Sequence, residues 1–222
     1  MQPLVVVGAG GHGRELWSVA HDVNDVAPTW DMLGFVDDGP VDDHRVERVG
    51  GRVLGPVEWL IDRDVRYALG VGASATRRAI VDRLAKGSAR PATIVAPGAS
   101  VGLDVELGDG VVVYDRSTLT TDVRIGRHTH VNVGCAVQHD SVVGEFVQMS
   151  PGVLINGDCV IGDDVFLGSG AVVTRGCRVG AAARIGAGAV VLDDVPPGAL
   201  AVGVPARIVP EFGPGPGDRV GA

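Results

Sequence analysis

The chain has 222 residues, enough for one or two domains and a sizeable core. Its 34 glycines and 4% aromatic content argue against an ordinary helical bundle and suit a fold with many tight corners. A net charge of -8 without a long basic run argues against nucleic acid and anionic membrane as partners, although local basic residues could still hold a phosphorylated ligand.

The N-terminus opens directly on the strand-like run PLVVV, with no charged n-region and no long apolar segment. No secretory signal or membrane span is expected, and a cytoplasmic enzyme is the default. The glycine turn GAGGHGREL follows, then a predicted helix over Arg14–Val23. A second strand over Met32–Val36 ends in Asp37 and Asp38; Val57–Ile61 suits a short helix. A third strand over Tyr67–Val71 leads through GVGAS, with Gly72, into a helix over Thr76–Leu84. This alternation predicts a small parallel sheet flanked by helices, a Rossmann-like α/β head over residues 1–92.

Gly8, Gly10 and Gly13 form a G-x-G-x-x-G turn between strand and helix, where backbone N–H groups can approach a phosphate at the positive helix end. Asp37 and Asp38 end the next strand, where a carboxylate can accept from ribose or base. Arg77, near a later helix start, could add positive charge. The candidate substrate-side set in the head is therefore Gly8, Gly10, Gly11, His12, Gly13, Asp37, Asp38, Gly72 and Arg77. The α/β pattern stops after one mononucleotide half, which favours a nucleotide-linked sugar over NAD.

From Val95 to Pro196 the sequence repeats every six residues. Each hexad starts with Val, Ile, Leu or Met, and each carries Ala, Val, Ser, Thr or Cys at its fifth position. Positions one and five both point inward from a triangular parallel β-helix, and positions two to four make its corners. Three hexads form one coil of 18 residues, stacked about 4.8 Å from the next. Cys135, Cys159 and Cys177 are fifth-position residues and read as small apolar filler, not as a disulfide framework.

Asp is frequent at the fourth position, so Asp140 can be an ordinary corner residue. His139 is different, as the one histidine at a third position. Stacking by 18 places Gly157 one coil above it and sets Gln148 between His130 and Phe166. A histidine base beside a bare backbone N–H suits acyl transfer: the base takes the proton of the attacking group and the amide holds the developing oxyanion. Asp140 could fix the imidazole tautomer. His128, His130 and His139 do not obviously converge, and no metal is expected.

GAGGHG, FVDD, GVGAS-x-x-R, the hexads with VQHDSVVGEF and the closing VGVPARIV together resemble the family of sialic acid O-acetyltransferases and nucleotide-amino-sugar N-acetyltransferases. The resemblance implies a mainly β protein: a left-handed parallel β-helix over residues 93–209 behind the α/β head, with a flexible tail over 210–222. It implies a homotrimer binding acetyl-CoA between neighbouring β-helices, and a nucleotide-linked amino sugar on the head. His139 and Asp140 match the family's catalytic pair, and Gly157 its thioester donor. Ser169, Gly170, Ala187 and Gly188 match the part that lines the pantetheine arm, with Gln148 on the cofactor side and Asn132 on the substrate side. Several relatives carry histidine where this chain has Gln148. The expected activity is N-acetylation; O-acetylation of sialic acid or a related sugar and a non-catalytic nucleotide-sugar-binding trimer are the alternatives.

Overall fold

The computed structural model describes residues 1–210; the expected flexible tail lies outside them from residue 211 onward. The head comprises β1 (Gln2–Val7), α1 (Gly11–Val26), β2 (Trp30–Val36), α2 (Asp43–Glu47), β3 (Val53–Gly55), a 3-10 turn (Val57–Leu60), β4 (Arg66–Leu69), α3 (Ser74–Leu84) and β5 (Arg90–Pro91). The sheet is parallel, in the order β3-β2-β1-β4-β5. Alternate residues of β1 serve opposite cores. Leu4 and Val6 pack with Leu16, Trp17 and Ala20 of α1, whereas Val5 and Val7 pack with Leu60, Ile80 and Leu84. The α1-side core also takes in Ile94, Val112 and Tyr114, so the head and the first coils share apolar packing.

The five-stranded order corrects the expectation of a three-stranded half. The chain leaves β1 in one direction for β2 and β3 and returns on the other side for β4 and β5, which creates a switch-point crevice between β1 and β4. The extra strands have three and two residues, and β5 contains Pro91, too little for a period to show. Three glycines let the crevice close. A Cβ on Gly13 would stand 1.8 Å from the Gly8 carbonyl oxygen, and one on Gly70 would stand 2.4 Å from the Gly13 Cα.

The remainder is a left-handed parallel β-helix with three sheets. Register follows the 18-residue step: Thr118, Ala136, Leu154, Val172 and Val190 stack on one face. Arg124, Val142, Val160 and Arg178 stack on a second, and Val112, His130, Gln148, Phe166 and Arg184 on a third. The inward first and fifth positions form one continuous core, the three cysteines included.

Every fourth position from Asp104 to Gly188 has a positive φ. The corner therefore needs the left-handed conformation, which explains the abundance of Gly and Asp there. Arg116, His128, Phe146 and Ala182 adopt it as well, held by the stack around them. The last coil is shorter than the hexads predict, because Arg184 pairs with Leu200 and Ile185 with Ala201, sixteen residues on. The chain then turns back, and Leu200–Val202 pairs antiparallel with Arg207–Val209. This hairpin replaces a bare parallel edge.

Candidate active site

His139 and Asp140 occupy the corner between the Thr118–Val190 face and the Arg124–Arg178 face. Asp140 is left-handed at φ 61°, and its Oδ2 lies 2.7 Å from His139 Nδ1. A carboxylate there favours the proton on Nδ1 and leaves the Nε2 lone pair as a base. The backbone is tied to the coils on either side: Asp158 N–H donates to the His139 carbonyl at 2.8 Å, and Asp140 N–H donates to the Thr121 carbonyl at 3.3 Å. The imidazole lies over Gly157, where a Cβ would come within 2.5 Å of both Cε1 and Nε2. Stacking by 18 anticipates this contact.

The contact has a measurable consequence. Gly157 is absent from the positive-φ glycines, so alanine fits its backbone but not the space under the ring. Gly157→Ala is expected to displace the imidazole and lower kcat by about 10²-fold, the typical effect of an ångström-scale misplacement, while melting close to the parent protein. Steady-state kinetics together with a thermal melt check this.

Ser169, Gly170, Ala187 and Gly188 are exposed and lie in two successive coils, with Gly188 N–H donating to the Ser169 carbonyl at 2.9 Å. They line a different corner from His139, at the opposite edge of the Thr118–Val190 face. Asn132 sits on that same far edge, nearly buried, with its Oδ1 accepting from Val133 N–H at 2.7 Å. Within one chain, then, the structure groups His139, Asp140 and Gly157, and it sets Asn132 and the small-residue strip across a face from them.

In the head, Gly10 and Gly11 open α1 with no atom within 4 Å of a built Cβ, and Gly72 is equally open at the start of α3. Asp37 braces the glycine turn, its Oδ2 accepting from Ala9 N–H at 2.7 Å and its Oδ1 from Gly39 N–H at 2.8 Å. Asp38 differs from expectation. It accepts from Arg83 at 2.6 Å and from Val57 N–H at 2.9 Å, and the Arg83 hydrogen bond lowers its pKa.

Three further residues depart from their expected places and meet in the seam between the head and the third face. Arg77 is fully buried, so it offers no surface charge to a ligand. Its guanidinium donates to the Val71, Gly72, Phe146 and Val147 carbonyls and to Gln148 Oε1. Gln148 is 6% exposed and committed to Arg77, which removes it from an open cofactor groove. His12 turns towards the coils: its Nε2 lies 3.0 Å from His130 Nδ1 and 3.3 Å from the Tyr114 hydroxyl. Burial lowers the pKa of His12 and brings that of His130 well below its ordinary value. Desolvation raises that of Tyr114, which keeps it a neutral phenol.

Sequence reading missed His130, Tyr114 and Arg78 as seam residues. The available signal was the outward sixth position of the third face, where His130, Gln148 and Phe166 replace the usual solvent-facing residues. Among the described residues, no group of three His, Cys, Asp or Glu is placed to hold a metal ion, and no helix is long and apolar enough to cross a membrane.

An α/β head on a β-helix of hexads defines a hexapeptide-repeat acyltransferase. Residues 3–84 match the PglD N-terminal domain, and residues 158–193 match the bacterial transferase hexapeptide repeats. No curated protein sequence matches. The acetyltransferase domain of PglB from Neisseria gonorrhoeae, solved with acetyl coenzyme A, is 28% identical with a TM-score of 0.84, over 94% of this chain and 99% of that one. PerB from Caulobacter crescentus, in complex with CoA and GDP-perosamine, is 28% identical with a TM-score of 0.81, over 95% and 98%. WeeI from Acinetobacter baumannii is 27% identical with a TM-score of 0.81, over 94% and 100%. The head domain, the hexapeptide repeats and these structural matches together support the family of sialic acid O-acetyltransferases and nucleotide-amino-sugar N-acetyltransferases.

Proposed function

We propose that the protein transfers the acetyl group of acetyl-CoA to the amino group of a nucleotide-linked amino sugar. The observation that carries this reading is the His139 ring, paired with Asp140 and lying over Gly157. The sugar amine attacks the thioester carbonyl, and His139 Nε2 takes its proton as the C–N bond forms. The Gly157 N–H holds the oxyanion of the tetrahedral intermediate. Collapse breaks the C–S bond, and the proton on His139 passes to the departing CoA sulfur. No covalent acyl-enzyme is needed. The glycine crevice of residues 1–92 takes the nucleotide end, with Gly10, Gly11 and Gly72 offering unobstructed backbone.

The small-residue strip and Asn132 stand across a face from His139 in the same chain, so a ligand touching both corners needs a second copy. That intervening face carries an outward apolar column, Ala136, Leu154, Val172 and Val190, with Leu154 42% exposed. A homotrimer in which this column is covered would bring the strip of one copy beside the His139 corner of the next. Acetyl-CoA would then lie between neighbouring β-helices of residues 93–209. The relatives bound to acetyl-CoA, or to CoA and GDP-perosamine, support both ligand classes.

The test is an assay of free thiol release with acetyl-CoA and UDP-, GDP- and dTDP-linked amino sugars, with the product sequenced by mass spectrometry. Turnover of one such sugar to an N-acetyl product is expected. Acetylation of free sialic acid at oxygen instead, or CoA binding without any transfer, would overturn the reading.

A further inference from the structure

We propose that Arg77 is a positioning residue for the nucleotide end of the substrate: it aims the backbone amides of Gly72 and Ala73 into the switch-point crevice. This rests on the proposed function. Arg77 Nη1 donates to the Val71 carbonyl at 3.1 Å and to the Gly72 carbonyl at 2.6 Å. Each carbonyl belongs to the same planar trans peptide as the next residue's N–H, which points the opposite way. Drawing the Val71 and Gly72 oxygens into the seam therefore turns the Gly72 and Ala73 N–H groups outward. They emerge at the N-terminus of α3, beside the loop that opens α1, where Gly72 is exposed and nothing approaches its Cβ position. A hydrogen-bond acceptor on the nucleotide meets donors there without meeting the buried cation.

The other half of the guanidinium supplies the anchor. Nη2 donates to the Phe146 carbonyl at 2.8 Å and the Val147 carbonyl at 3.2 Å, and Nη1 donates to Gln148 Oε1 at 2.8 Å. One planar fork thus joins the crevice loop to a β-helix coil, an arrangement that a lysine point charge cannot reproduce. The next residue strengthens the joint: Arg78 pairs with Asp164 at 2.7 Å and lies 4.1 Å over the Phe146 ring. The arrangement also accounts for glutamine at 148. Its amide oxygen accepts from Arg77 at any pH, whereas a histidine that gained a proton there would repel it.

The experiment compares the full chain with Arg77→Met and Arg77→Lys, by amide hydrogen exchange and by kinetics with the nucleotide-linked sugar that the parent turns over. In Arg77→Met, exchange over residues 70–76 is expected to rise about tenfold while residues 137–175 stay as in the parent. The KM for the sugar is expected to rise about tenfold, and that for acetyl-CoA to stay within about twofold. Arg77→Lys is expected to recover less than half of either change. A folded Arg77→Met with parental exchange over 70–76 and a parental sugar KM overturns the proposal, as does a rise spread evenly over the whole head. If Arg77→Met does not fold, Gln148→Leu removes one acceptor and keeps the cation. The same changes at reduced size are then expected, and their absence overturns the proposal. Should the parent acetylate no nucleotide sugar, the functional reading fails, and local exchange over 70–76 alone decides whether Arg77 holds the loop.

Discussion

Replacing His139 by alanine is expected to lower kcat by about 10²–10⁴-fold, the range attached to a general base. The side chain is 45% exposed, and its hydrogen-bond partner Asp140 is more exposed still, so the fold should not depend on it. Stability is expected to stay within about 0.5 kcal/mol of the parent, as for surface substitutions generally. Binding of acetyl-CoA, followed as a thermal shift, should persist because the small-residue strip is untouched. Asp140→Asn is expected to be milder, since the carboxylate only orients the ring and the left-handed corner accepts asparagine. Full turnover by His139→Ala would end the base assignment; loss of turnover together with loss of folding would move His139 from chemistry to structure.

The second large expected effect is on stability at mildly acidic pH. His128 and His130 are buried in the seam, and His12 is mostly so. Burial brings His128 down to about 4; Arg127 and Arg77 push the same way and Asp109 opposes them. His130 falls well below its ordinary value for the same first reason, burial, and His12 is lowered as well. The folded state holds these rings neutral, whereas the unfolded chain protonates them near 6.5. Stability is therefore fully present above about pH 6.5 and declines as pH falls towards the folded values, where the loss levels off. For His128 alone the window from 6.5 to about 4 corresponds to roughly 3 kcal/mol. Denaturant titrations at pH 7.5, 6.5 and 5.5 should show a falling midpoint, with a shallower fall in His128→Gln. A midpoint that does not change across that range would contradict the neutral seam.

The β-helix was legible because three constraints repeat in step. The first position is aliphatic, the fifth is small, and the fourth must tolerate a left-handed backbone. A single residue would say little; repetition every six residues fixes which side chains face inward and which coil stacks on which. That is why the His139–Gly157 contact follows from counting by 18. The head is less legible, since β3 and β5 are too short to carry a period and their pairing depends on the longer strands beside them. Least legible was the seam. An arginine beside a glycine loop reads as a phosphate ligand, and nothing local in the sequence shows that the long Arg77 side chain turns away into backbone carbonyls. Gln148 and His130 occupy outward positions that meet solvent elsewhere in the array, and only the docked head buries them.

The 18-residue register also restricts how this chain can change in length. Each rung reads its inward residues by position, so one inserted residue would turn every later aliphatic side chain of its strand to the outer face. A duplicated block of 18 would keep every inward residue inward and simply add a storey. Growth of the array is thus quantised. A storey added beyond Gly157 would leave the His139 ring over Gly157 and would lengthen only the wall beyond it. One added between His139 and Gly157 would separate the pair by a full rung. Length variants of this architecture should therefore differ by whole coils, and those that keep this contact should carry no new coil between His139 and Gly157.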